Sequence, residues 1–160
     1  MNLQIIKVDY SDEKQGVDLC YLLNEYAKDP MGGGEALNKK VLNSLPAKLQ
    51  DFPGATSFIA YLDNQPAGLV NGFLGFSTFK AQPLFNIHDF AVLKKYRGMK
   101  VSSQLMKTID EYAKEQCCCK ITLEVLNKNQ IALQAYKNFG FAAYELDPKA
   151  GQAIFLEKEI

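Results

Sequence analysis

Apolar positions recur along the chain with two periods, and the switches between them predict the order of elements. Leu3, Ile5 and Lys7 alternate with Gln4, Ile6 and Val8 as a first strand. From Asp12 to Lys28 the period becomes helical, with Leu19, Leu22, Leu23 and Tyr26 on one stripe and Ser11 or Asp12 available as the cap. Asp29-Pro30 stops that helix, and Gly32-Gly33-Gly34 forms a permissive loop before a second helix, Glu35 to Leu45, expected to end at Pro46. Phe58, Ala60 and Leu62 then alternate, Asp63-Asn64 makes a turn, and Ala67 to Phe79 completes a hairpin.

Leu84 to Val92 reads as a strand, Val101 to Gln116 as a long helix with Val101, Leu105 and Ile109 inward, and Ile121 to Leu126 as a strand again. This βαβ order predicts a parallel pair with a right-handed crossover. A helix from Gln130 to Phe139 carries the stripe Ala132, Ala135, Tyr136, Phe139 and stops at Gly140. Phe141 to Leu146 and Ala153 to Lys158 are expected as two last strands around the turn at 147–151. The order predicts an α/β (α+β) fold: a mostly antiparallel mixed sheet of six to seven strands with one parallel pair and helices on both faces.

Composition narrows the function classes. The chain has 160 residues, 48% of them hydrophobic, and without any linker or repeat it is expected to form a single domain over 1–160. Eighteen basic residues balance eighteen acidic ones with no basic run, so neither nucleic acid nor an anionic membrane is an expected partner. The first eight residues lack a charged leader and a small-residue cleavage site, and no apolar run approaches a bilayer span. Cys20 and the consecutive Cys117, Cys118 and Cys119 make no disulfide framework, which fits a cytoplasmic protein. Three adjacent thiols cannot close around one ion as spaced pairs do, so no metal is expected and they read as small buried hydrophobes.

Two segments carry candidate chemistry. Tyr96-Arg97-Gly98-Met99-Lys100-Val101-Ser102-Ser103 leads from a strand into a helix, whose first backbone N–H groups and dipole favour an anion. A plain cap beside a solvated arginine would look the same, and no Gly-Lys-Ser/Thr marks a nucleotide P-loop. The second segment runs from Asn127 to Phe141, with Asn129, Ala132, Tyr136 and Gly140-Phe141 at offsets of three, seven and eleven. On periodicity alone Tyr136 is a core aromatic of the helix stripe.

Together, and with the element order over essentially the whole chain, these segments resemble the GCN5-related N-acetyltransferase (GNAT) superfamily. The resemblance implies a three-layer fold whose parallel pair splays apart, and acetyl-CoA as cosubstrate. It implies that Phe90, Ala91 and Val92 run beside the pantetheine arm and that Arg97, Gly98, Met99, Lys100, Val101, Ser102 and Ser103 wrap the pyrophosphate. Asn129 would hold the cosubstrate at the splay, and Tyr136 would protonate the departing thiolate. A phenol of ordinary pKa near 10 keeps its proton at neutral pH, whereas a thiol near 8.5 leaves as thiolate. The chain departs from the family at two positions of the turn, where Lys100 and Ser102 replace small residues, usually glycine. A left-handed lysine costs on the order of 1–2 kcal/mol, which an ammonium facing a phosphate could offset.

The acceptor end follows from the reaction. Deprotonating an alkyl ammonium of pKa about 10.4 at pH 7 costs roughly 4.6 kcal/mol, so a base is wanted. His88, the one histidine, stands four residues before Val92, where related arylalkylamine acetyltransferases carry their base; a lone strand histidine is otherwise structural. Asp89 would point to the opposite face of a regular strand unless a bulge re-aims it. Asp29, Glu35 and Glu124 are further candidates to hold a cationic substrate, against the reading of ordinary surface acids. The expected function is direct acetyl transfer to a primary amine of a small molecule, with no covalent enzyme intermediate; a non-catalytic acyl-CoA-binding module is the rival, argued by Lys100. The family resemblance leaves room for a homodimer.

Overall fold

The computed structural model describes all of residues 1–160, which divide into two compact units, Met1–Glu124 and Val125–Ile160. The first holds β1 (Leu3–Lys7), α1 (Glu13–Lys28), a 3-10 turn (Pro30–Gly32), α2 (Lys39–Asp51), β2 (Ala55–Leu62), β3 (Gln65–Ser77), β4 (Gln82–Val92), a second 3-10 turn (Lys94–Tyr96), α3 (Val101–Glu115) and β5 (Ile121–Leu123). Its five strands lie in the order β1-β2-β3-β4-β5, antiparallel except for the parallel pair β4–β5. The second unit holds α4 (Gln130–Asn138) and a 3-10 turn (Pro148–Ala150). No helix is long and apolar enough to cross a membrane.

Alternation along the strands assigns the two faces of the sheet. Ile59 and Leu69 are cross-strand partners and join Val8, Leu19, Leu22 and Leu49 in a core under α1 and α2. One position away, Phe58 pairs with Val70, and these face α3. There Tyr112 stacks edge-on against both Phe58 and Phe85, with ring centroids 5.4 and 5.3 Å away, and its hydroxyl meets Thr56 Oγ1 at 2.9 Å. Gly72 makes room for Phe85, since a Cβ at that position would fall 2.2 Å from Phe85 Cζ.

Two expectations need correction. The second helix does not stop at Pro46 but runs through it, from an Asn38 cap whose Oδ1 accepts from the Lys40 N–H at 2.8 Å. Proline removes the bond its N–H would have made to the Leu42 carbonyl, and the Cys20 thiol donates to that same carbonyl at 3.2 Å. Gly16 of α1 leaves room for the ring, because a Cβ there would already lie 3.3 Å from Pro46 Cγ. The two last strands are also absent: the sheet has five strands, not six or seven, and β5 ends at Leu123. The turn between them forms, with Asp147 accepting from the Lys149 N–H, but its arms join no ladder and leave Leu146, Ile154 and Leu156 exposed. A strand exists through its pairing partner, so alternation alone does not make one.

Candidate active site

β4 is the strand that positions the chemistry. Its parallel ladder with β5 covers Phe85, Asn86 and Ile87, whereas its ladder with β3 continues through Phe90, Ala91 and Val92, opposite Val70, Leu69 and Gly68. Between the two stretches lies a bulge, because Gly72 faces Ile87 while Asn71 faces Asp89 and His88 is left over. Regular alternation would have sent Asp89 to the α3 side with Phe85 and Ile87. The extra residue instead brings both His88 and Asp89 into one cleft on the α1–α2 side.

That cleft has a volume of about 360 Å³. One wall is Leu23, Tyr26 and Ala27 of α1, and the other is Val41, Leu45 and Leu49 of α2. Its floor is Asn71 and Phe73 of β3 beside His88 and Asp89. The His88 ring stands edge-on to Phe73 at 5.7 Å. Asp89 Oδ2 accepts from Asn71 Nδ2 at 2.9 Å, Asn71 Oδ1 accepts from Ser57 Oγ at 2.6 Å, and Ser57 Oγ meets the Tyr10 hydroxyl at 2.9 Å. Ser57 and Asn71 are buried, and so this chain fixes the Asp89 carboxylate from beneath the sheet surface. Burial pushes the Tyr26 phenol pKa up, and the negative charges of Asp89 and Asp29 push it the same way. One end of the cleft is therefore electronegative.

The turn after β4 is rich in cations. Lys94, Lys95, Arg97 and Lys100 crowd into seven residues, and Gly98 at φ 80° has open space where a side chain would begin. Lys100 occupies the left-handed region at φ 63° as the residue before α3. The first bond of that helix is Gln104 N–H to the Lys100 carbonyl, so the N–H groups of Val101, Ser102 and Ser103 precede the ladder and leave the helix end as donors. Arg97 donates from Nε to the Val92 carbonyl at 3.2 Å and from Nη2 to Asp29 Oδ2 at 3.4 Å. The Asp29 carboxyl is held below the ordinary carboxylate range, first by the Met31 backbone N–H and then, against partial burial, by Arg97.

Among the remaining candidates, Glu35 and Glu124 are exposed and line no part of the cleft. Met99 is exposed in the turn. In the second unit, Asn129 caps α4, its Oδ1 accepting from the Ala132 N–H at 3.2 Å, which gives the asparagine a local structural role. The Tyr136 ring lies edge-on to Phe141 at 5.8 Å, and the Phe141 N–H donates to the Tyr136 carbonyl. Sequence reading passed over Asn71 and the wall residue Tyr26. The signal for Asn71 was an amide between Val70 and Gly72 in the otherwise apolar run from Pro66 to Phe76.

The structure brings together a mixed sheet with a single parallel pair, a cation-rich turn entering a helix, and a histidine and an aspartate on the bulged strand. Comparison gives the family. The family model described as Acetyltransferase (GNAT) family matches residues 20–141, and the chain belongs to that family as an N-acetyltransferase. A thialysine N-epsilon-acetyltransferase of Caenorhabditis elegans is 26% identical over 136 residues, 82% of this chain and 79% of the relative. The fold is shared with AAC(6')-Iy in complex with the bisubstrate analogue CoA-S-monomethyl-acetylneamine, at a TM-score of 0.79 and 15% identity over the whole of both chains. It is shared as well with an aminoglycoside acetyltransferase from an uncultured soil metagenomic sample in complex with sisomicin, at a TM-score of 0.77 and 18% identity over 99% of this chain and 96% of that one.

Proposed function

We propose that this protein transfers the acetyl group of acetyl-CoA directly to a primary amine of a small molecule, its 160 residues acting as one catalytic domain. The observation that carries the reading is the bulge in β4, which sets His88 and Asp89 side by side in a cleft on the strand that leads to the cationic turn. The turn suits a pyrophosphate: the N–H groups of Val101, Ser102 and Ser103, the Ser102 and Ser103 hydroxyls, and the charges of Arg97 and Lys100 are donors and cations, and the one acid against them is Asp29, 3.4 Å from Arg97 Nη2, whose place on the guanidinium a phosphate oxygen would take. Phe90, Ala91 and Val92 run beside the pantetheine arm, and the Asn129 side-chain amide serves the cosubstrate through Nδ2.

The thioester supplies an activated acyl carbon. Asp89 receives the substrate ammonium and His88 takes its proton, directly or through one water, leaving a neutral nitrogen. That nitrogen attacks the carbonyl carbon and the C–N bond forms, the C–S bond breaks, Tyr136 gives its phenolic proton to the thiolate, and the second proton shed by the new amide nitrogen returns through water to the Tyr136 phenolate. Asp29 adds negative charge at the same end of the cleft, whereas Glu35 and Glu124 receive no role.

Calorimetric titration with acetyl-CoA, followed by thiol release against a panel of amines, tests the proposal. Binding with thiol release on a primary amine is the expected result; binding without turnover on any amine would sink it. Tyr136→Phe keeps the ring against Phe141 and loses only the proton donor. Turnover should fall about 10²–10⁴-fold, on the order of 3–5 kcal/mol on the barrier, at nearly unchanged acetyl-CoA affinity. Unchanged turnover would take Tyr136 out of the mechanism.

A further inference from the structure

We infer that the acceptor is a primary amine carried on a compact apolar body, an arylalkylamine or branched alkylamine, and not a polycationic or polyhydroxylated amine; the inference rests on the reading of this cleft as the acceptor site. The walls carry it. Leu23 and Ala27 of α1, Val41, Leu45 and Leu49 of α2, and Phe73 of β3 are apolar, and Asp89 is the one formally charged residue that lines the cleft. Polar groups gather on its sheet side, where Asp89, His88 and Asn71 line the floor, and the Asp89 charge acts on the Tyr26 phenol of the α1 wall.

A volume of about 360 Å³ is at the small end for a ligand pocket, enough for one ring or a short branched chain. Away from Asp89, His88 and Asn71, the leucine, valine and phenylalanine side chains of the walls offer no partner to a second ammonium or a run of hydroxyls, which would have to lose water against them or reach past Val41 to solvent. An apolar body loses nothing by leaving water and gains from the burial. One ammonium, by contrast, is provided for. The Asp89 carboxylate is held by the buried chain Tyr10, Ser57, Asn71 through bonds of 2.9, 2.6 and 2.9 Å, so it meets the cation already oriented. The pocket thus recognises a single positive charge at one end of a hydrophobic mass.

The test uses the full chain with acetyl-CoA and compares kcat/KM for phenethylamine and isoamylamine with kcat/KM for thialysine, cadaverine and neamine. Preference for the first two by at least about 100-fold is expected, from the cost of burying an unpaired polar or charged group. Equal or better use of the polar amines overturns the inference and leaves acyl transfer to amines standing. If acetyl-CoA binds and no amine releases thiol, the transfer reading itself falls, and this inference with it. Two variants read the mechanism of recognition. Asp89→Asn keeps an acceptor for the Asn71 amide and removes the charge, so KM for phenethylamine should rise about 10–100-fold with a much smaller change in kcat. Val41 is 44% exposed on α2, so Val41→Glu is tolerated by the fold and places an acid against the substrate body. It should raise the ratio of cadaverine to phenethylamine use about tenfold or more. An unchanged ratio overturns the placement of the substrate body along α2.

Discussion

The face of the sheet under α3 and the face under α1 and α2 are built from alternate residues of the same strands, yet only one of them is filled. On the α3 side, Gly68 and Gly72 let Leu105 and Phe85 approach the backbone, and Tyr112 closes the gap between Phe58 and Phe85 with its hydroxyl on Thr56. On the other side the core of Leu19, Leu22, Ile59 and Leu69 gives way to the cleft at Asn71, Phe73 and His88. The difference comes from what the strands present at the bulge. Where the α3 face fills its glycine gaps with Phe85 and Leu105 and pairs the Thr56 hydroxyl with Tyr112, the cleft face places an amide and a carboxylate, Asn71 and Asp89, beside open space. On the proposed reading one face sets stability and the other chemistry, and substitutions should separate the two.

The largest expected effect is on the filled face. Phe85 is fully buried, so Phe85→Ala removes a ring from between Gly72 and Tyr112 and should cost about 3–5 kcal/mol of unfolding free energy. Denaturant unfolding measures it. A loss below about 1 kcal/mol would show that this face is not close-packed, and the contrast between the faces would collapse.

A smaller effect, and one on chemistry alone, is expected across the sheet. His88 is exposed and lies against the edge of the Phe73 ring, so His88→Gln should change unfolding free energy by less than about 0.5 kcal/mol. It should lower kcat/KM by about 100-fold and flatten the acid limb of its pH profile, because the group that must be neutral to take the proton is gone. A wild-type profile that follows only the ionisation of each amine substrate would make His88 structural.

Much of this contrast was legible in the sequence. The period-2 residues of β2 and β3 and the stripe of α3 were read directly, because each of those segments buries a regular face whose spacing is local. What was not legible depends on contacts distant in sequence. Pro46 stays inside α2 because a thiol twenty-six residues earlier takes the carbonyl it frees. His88 and Asp89 share a cleft because of a register shift against Asn71, and a bulge leaves no mark in a composition pattern. The arms beyond Phe141 alternate like strands, yet they form no ladder, since pairing is not encoded by one strand alone.

The smallest expected effect lies where the cleft strand runs into the anion turn, at Lys100. With φ at 63° its backbone takes the left-handed conformation, and its ammonium sits at the positive end of α3. Lys100→Gly relieves strain on the order of 1–2 kcal/mol and a dipole repulsion of about 0.3–1 kcal/mol, while the freer unfolded chain takes back about 0.4–1 kcal/mol. The protein without cosubstrate should therefore gain about 1 kcal/mol, a rise of some 2–4 °C in Tm. Affinity for acetyl-CoA tests the other half of the argument. If the ammonium reaches the phosphates, the variant binds with a shallower dependence on ionic strength and a modest change in Kd. Should Lys100 instead obstruct the turn, binding tightens by about tenfold with the salt slope unchanged. Titrations of both proteins at two ionic strengths separate these outcomes, and a wild type that binds only after the substitution would mark Lys100 as the residue that closes the turn to its anion.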